Sequence, residues 1–230
     1  VGYGINQSSS TAPTYTTVTA NNNLGITSSA LTANGTYYVW AKDTAGNVGK
    51  ASVAVSKIDR TAPTVTITRK DYNTFRWTAS DGNGVTGFQI NTSSTTPTSG
   101  WTTSGTLTSG TKDISSAGTY YVWAKDAAGN VGKATIAAYT MTRSQGKGST
   151  LTTRIDGTSA STGTAVTANT VVLNGTPIYM AASLKAGYGN LVIKYGNTNV
   201  TSGTSKNTTS NVTISTAIPS TVLSIYTGFS

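Results

Sequence analysis

The stretch Gly35–Ala51, GTYYVWAKDTAGNVGKA, returns almost unchanged as Gly118–Ala134, GTYYVWAKDAAGNVGKA. One position in seventeen differs, Thr44 against Ala127. Such copying marks an internal repeat, and every other inference follows from it. Trp40 and Trp123 set the period at 83 residues. That is too long for a solenoid repeat and fits a small domain.

The repeated stretch reads as a β-hairpin. Tyr-Tyr-Val-Trp is dense in residues that favour a pleated surface. Asp-x-Ala-Gly-Asn is turn chemistry, with an aspartate to cap it and a glycine for the positive φ of a bulged hairpin. Alternation then resumes at Ala51, Val53 and Val55, and in the second copy at Ala134, Ile136 and Ala138.

Working outward, Thr61–Gly84 supplies two further strands before the second copy: Val65 and Ile67 alternate with threonines, then Phe75 and Trp77. Gly87–Asn91 is a third strand, and short strands are expected within Trp101–Thr108 and over 112–115. Val1–Asn6 aligns with Thr86–Asn91, but nothing in 1–58 corresponds to Thr61–Gly84. The expected organisation is therefore an incomplete domain over 1–58 lacking its first two strands and a complete one over 59–142. A Gly-rich polar linker over 143–150 leads to a separate all-β domain over 151–230. Strands there are expected at 151–155, 164–173, 177–184, 191–195, 211–218 and 222–226, with no helix anywhere.

The hairpin, Gly-Thr-Tyr-x-Val-x-Ala-Lys-Asp-x-Ala-Gly-Asn, and the joint Ile58-Asp59-Arg60-Thr61-Ala62-Pro63 resemble the bacterial Ig-like domains found in tandem on surface and secreted proteins. The resemblance covers roughly 1–142. It implies an all-β fold of tandem Ig-like β-sandwiches, the first incomplete, serving as spacers or binding modules. The stretch 150–230, with Ala186-Gly187-Tyr188 and Asn211-Val212-Thr213-Ile214, is similar to a small bacterial β-repeat module.

Composition narrows the chemistry. The 230 residues include no cysteine, histidine or glutamate, and all seven acids are aspartates. Disulfides, thiolate metal sites and triads that need histidine are excluded. Serine and threonine make up about a third of the chain and charged residues 10%. That balance suits β-rich extracellular or cell-surface proteins. No signal-peptide pattern or apolar run of spanning length occurs, so membrane insertion is not expected. The net charge of +9 is spread singly, which argues against a nucleic-acid footprint and allows loose attraction to anionic wall polymers.

Alternation sorts the repeated strand. Tyr37, Val39, Tyr120 and Val122 are expected in the core, with each tyrosine placed as the corner tyrosine of an Ig-like domain. Tyr38, Trp40, Tyr121 and Trp123 are then expected on the outer face, solvent-exposed. There they either bind glycan or protein on a cell surface, or merely cover the sheet beside lysine stems. Asp43 with Asn47, Asp126 with Asn130, and Asp59 and Asp81 could lend oxygens to calcium. Turn capping explains them better, and no metal or cofactor is expected. A lysine–asparagine isopeptide crosslink would need a buried lysine. The sequons at Asn34, Asn91 and Asn211 match what chance gives at this threonine and serine content.

No catalytic residues emerge. The expectation is a non-catalytic structural or adhesive segment: a stalk, adhesin or fibre subunit. Alternatives are a bacteriophage tail or fibre protein, or the accessory glycan-binding region of a secreted enzyme. The missing strands are expected to be cut off by where the fragment is defined or to lie upstream; the alternative is self-association by strand donation from another chain, with Thr221–Ser230 as donor.

Overall fold

The computed structural model describes residues 1–18 and 31–217. The described residues form only strands, turns and irregular segments, without helices. They fall into two compact units, the first spanning Val1–Arg60 and the second starting at Thr61.

The described residues of the first unit form a single sheet. Its strands are β1 (Gly2–Asn6), β2 (Thr16–Thr17), β3 (Gly35–Lys42) and β4 (Val48–Val55), in the order β2-β1-β3-β4. All neighbours are antiparallel. The repeated stretch makes the β3–β4 hairpin, with Trp40 opposite Lys50 and Val39 opposite Ala51.

The second unit repeats that sheet and adds to it. Its first strands are β5 (Thr64–Arg69), β6 (Thr74–Ser80), β7 (Val85–Asn91), β8 (Ser109–Asp113), β9 (Gly118–Asp126) and β10 (Val131–Ser144). Strands β7, β9 and β10 are the counterparts of β1, β3 and β4. Strands β5, β6 and β8 form a second sheet in the order β5-β6-β8. The two sheets share one hydrophobic cluster. Phe75, Trp77 and Ala79 enter it from β6, and Val122 and Ala124 from β9. The alternation of β6, apolar inward and Arg76 and Thr78 outward, is what this burial requires.

The remaining strands are β11 (Ser149–Ile155), β12 (Thr164–Val166), β13 (Thr170–Leu173), β14 (Pro177–Leu184), β15 (Val192–Tyr195), β16 (Thr198–Val200), β17 (Thr204–Asn207) and β18 (Val212–Ala217). One sheet has the order β12-β11-β14-β17. The other strands extend the sheet of β7, β9 and β10, giving β16-β15-β18-β10-β9-β7, with β13 also on β10. A second hydrophobic cluster lies here, around Met141, Ile155, Ile178, Met180 and Ile214.

Three expectations are corrected. Residues 143–150 are not a linker: Arg143 and Ser144 end β10, Ser149 and Thr150 begin β11, and Ser149 is buried. Consequently 59–142 and 151–230 are not separate domains, because both lie in the second compact unit. The reason is β10. Its fourteen residues pair with β9 along its first half, then with β13 through Ala138–Met141 and in parallel with β18 through Met141–Ser144. Third, Val39 is not a core residue. It is 41% exposed, whereas Val122, in identical local sequence, is 0% exposed. Tyr37 and Val122 are buried as expected and Tyr120 is half-buried. The difference follows from the second sheet, which covers Val122 and has no counterpart over Val39 among the described residues. The tail Thr221–Ser230, expected as a strand donor, lies outside the described residues, as does 222–226.

Candidate binding face

The outer face of each repeated strand carries the same construction. On β9 the face opposite Val122 presents Tyr121, Trp123 and Lys125. On β3 it presents Tyr38, Trp40 and Lys42. Lys133 stands directly across from Trp123, and Lys50 directly across from Trp40. The ammonium of Lys133 lies 4.9 Å from the Trp123 ring centre and 5.7 Å from that of Tyr121. That of Lys50 lies 4.9 Å from Trp40 and 5.5 Å from Tyr38. Each such cation–π contact contributes about 0.5–1 kcal/mol at an exposed site. Tyr121 and Trp123 are also stacked, with centres 5.9 Å apart and planes at 18°.

The indole nitrogens are anchored alike. Trp123 Nε1 donates to Asn91 Oδ1 at 3.2 Å, and Trp40 Nε1 to Asn6 Oδ1 at 2.9 Å. The same oxygens accept the backbone amides of Ser93 and Ser8 in the turns that follow. A further cation completes each row: Lys125 sits over Trp101 at 5.1 Å and Lys42 over Tyr15 at 5.9 Å. Lys50 also donates to the Ser9 carbonyl.

This anchoring corrects the expected exposure. Both tryptophans lie off the hydrophobic clusters, as the alternation requires, but they are not solvent-exposed: Trp40 is 7% and Trp123 2% exposed. Lysine stems and an asparagine turn cover them. Tyr38 and Tyr121 are half-buried, so the accessible part of each ladder is a tyrosine rim beside an ammonium. The sequence marks Asn91 only as a sequon and gives Asn6 no role of its own. The alignment of Val1–Asn6 with Thr86–Asn91 is the signal that could have found them.

The other polar candidates act within the fold. Asp43 accepts from Asn47 N and Nδ2, both at 2.8 Å. Asp126 accepts from Asn130 N and Nδ2 at 2.9 and 2.8 Å. Asp81 accepts from Asn83 N at 2.8 Å. The Asn47 side chain and amides of its turn hold Asp43 below the usual carboxylate range. Burial pushes Asp126 up, but hydrogen bonds from Asn130, Gly129 and Ala128 outweigh it, and its net shift is also downward. Asn34 exchanges two bonds with the Ile58 backbone, and Asn211 accepts from Thr140 N. None of the eleven lysines is buried, so the environment that an isopeptide crosslink needs is not built. A shallow recess of about 400 Å³ beside β16 and β17 offers Asn199, Thr201, Thr204 and Lys206.

Tyr37 and Tyr120 close the parallel between the copies: each hydroxyl donates at 2.8 Å to the carbonyl four residues upstream, Ala33 or Ser116. No family model matches the chain, and no curated protein matches it in sequence.

Proposed function

We propose that this chain is a non-catalytic structural and adhesive segment of a bacterial extracellular or cell-surface protein: a stalk, adhesin or fibre subunit built from Ig-like domains. Two features support the Ig-like reading. Strands β5, β6 and β8 against β7, β9 and β10 follow the division of an Ig-like sandwich into its A-B-E and C-F-G sheets. The tyrosine bonds at Tyr37 and Tyr120 have the form of a tyrosine corner and support the same reading.

The observation that carries the adhesive reading is the aromatic–lysine ladder built twice with the same partners. A tyrosine rim packs against a sugar ring, and an adjacent ammonium attracts phosphate or carboxylate. Two weak copies on one chain bind together far better than either alone. Anionic cell-wall glycans match this chemistry and the net charge of +9.

The test is co-sedimentation with Gram-positive wall sacculi, with and without their anionic polymers. The wild-type chain should sediment with intact sacculi, less so at high salt. Tyr38→Ala and Tyr121→Ala should each weaken retention, and the double variant should lose it. Retention of the double variant at the wild-type level sinks the adhesive reading, as does failure of the wild type to bind.

A further inference from the structure

The inward face of the first unit is as distinctive as its outward one. In the second unit, the face of Tyr120, Val122, Ala124 and Ile136 lies beneath the apolar side chains of β5 and β6. The first unit keeps the same residue types at Tyr37, Val39, Ala41 and Val53. Yet Val39 is 41% and Val53 52% exposed. Ile5 and Tyr3 on β1 stand where Ile90 and Phe88 stand on β7, and they extend the same apolar surface. A face of this kind is costly to leave in water.

A glycine says what belongs on it. A Cβ at Gly132 would lie 1.8 Å from the Pro63 carbonyl oxygen, so the backbone leading into β5 rests directly on that glycine. Neither Gly132 nor its counterpart Gly49 has the positive φ that would demand glycine for conformational reasons. The residue is needed at 132 for space alone. At Gly49 no described atom comes within 4 Å of the same position. The first unit therefore keeps a seat shaped for a proline-led strand, with no described residue in it.

We propose that the inward face of the first unit is an acceptor for a β-hairpin of the Thr61–Ser80 type. Its first strand would seat an Ala-Pro backbone on Gly49 and turn β-branched side chains, as at Val65 and Ile67, toward Val39 and Val53. Its second would bring aromatics over Tyr37 and Tyr3, as Phe75 lies against Tyr120 and Trp77 against Phe88. Recognition is by sheet-to-sheet packing. This inference concerns the face opposite the aromatic–lysine ladder and stands independently of the function proposed above.

The chain has no cysteine, so a single introduced thiol reports on the face. The full chain carrying Val39→Cys is treated with a thiol reagent, alone and with a synthetic peptide of residues 61–80. Without peptide the thiol should label at the rate of an exposed cysteine. Peptide at about ten times its dissociation constant leaves about a tenth of acceptors open, so labelling should slow about tenfold. Adding Gly49→Ala should leave labelling without peptide unchanged and abolish the protection. A scrambled peptide should give none.

The proposal is overturned if the peptide gives no protection, or if protection survives Gly49→Ala. Slow labelling without peptide that strengthens with chain concentration would make a second copy the occupant. Slow labelling at every dilution would mean that the face is already covered. Either result also overturns it.

Discussion

Removing Trp123 and removing Tyr121 should have different consequences, although both lie beneath Lys133. Trp123 is 2% exposed and its indole nitrogen is bonded to Asn91. Its replacement by alanine empties a filled site and should cost about 3 kcal/mol in a urea titration followed by circular dichroism. Tyr121→Ala trims a half-buried rim and should cost about 1 kcal/mol or less. Equal losses would mean that the ladder acts as one packed block. Asp126 gives a residue-scale prediction in pH. Its folded pKa lies below the ordinary value of 3.8. The stability it contributes is thus fully present above that value and lost as pH falls through the lower, folded one. Acid titration of the wild type should show a loss below about pH 4. Asp126→Asn should be less stable at neutral pH and should lack that component of the acid loss.

At the scale of the element, β10 decides the architecture. Ala138 and Leu173 face each other across the β10–β13 pair, and both are buried in the cluster enclosed by the β5 and β9 sheets. A fragment of 59–142 would lose Leu173 and leave the end of β10 without β13 and β18. It should melt well below a fragment of 61–217, and scanning calorimetry of the two would show it. Equal melting temperatures would restore a domain boundary near residue 142. Pattern alone showed a strand through Ala134, Ile136 and Ala138, and it placed β3, β4, β6, β7, β9 and β14 because their alternation or β-branched density is strong. It could not show that one strand serves two clusters, since alternation names the faces of a strand and not its neighbours. It also read 164–173 as one strand. The chain breaks near Ala168 because β12 pairs with β11 while β13 pairs with β10. Strands β16 and β17 went unseen because Thr-Asn-Val and Thr-Ser-Lys-Asn carry almost no apolar alternation. The outer-face pattern located the ladder, but burial of its tryptophans depended on Asn6, Asn91 and the lysines opposite, which strand periodicity does not reveal.

At the scale of the whole molecule, the repeat supplies its own control. Residues 37–41 and 120–124 have identical sequence and identical flanks, so their unprotected amides exchange at the same intrinsic rate. Among the described residues, both hydrophobic clusters belong to the second unit. Amides of β9 should therefore exchange at least about a hundredfold more slowly than those of β3, a gap of about 3 kcal/mol in opening free energy. Mass spectrometry of peptides from the two strands measures it directly. Comparable protection would show that the first sheet is stabilised by something other than a buried cluster.

The long β10 strand also has a consequence in time. Met141–Ser144 meets its parallel partner only at Val212–Ser215, about seventy residues later in synthesis. Contacts so distant along the chain close slowly, because the intervening segment must be gathered first. Until β18 has emerged, Met141 lacks the Ile214 and Val212 side chains of its own cluster. The second unit thus cannot finish folding piecemeal from its N-terminal end. A nascent chain stopped short of residue 212 should remain open to proteases around Met141, and release of the last strand should close it.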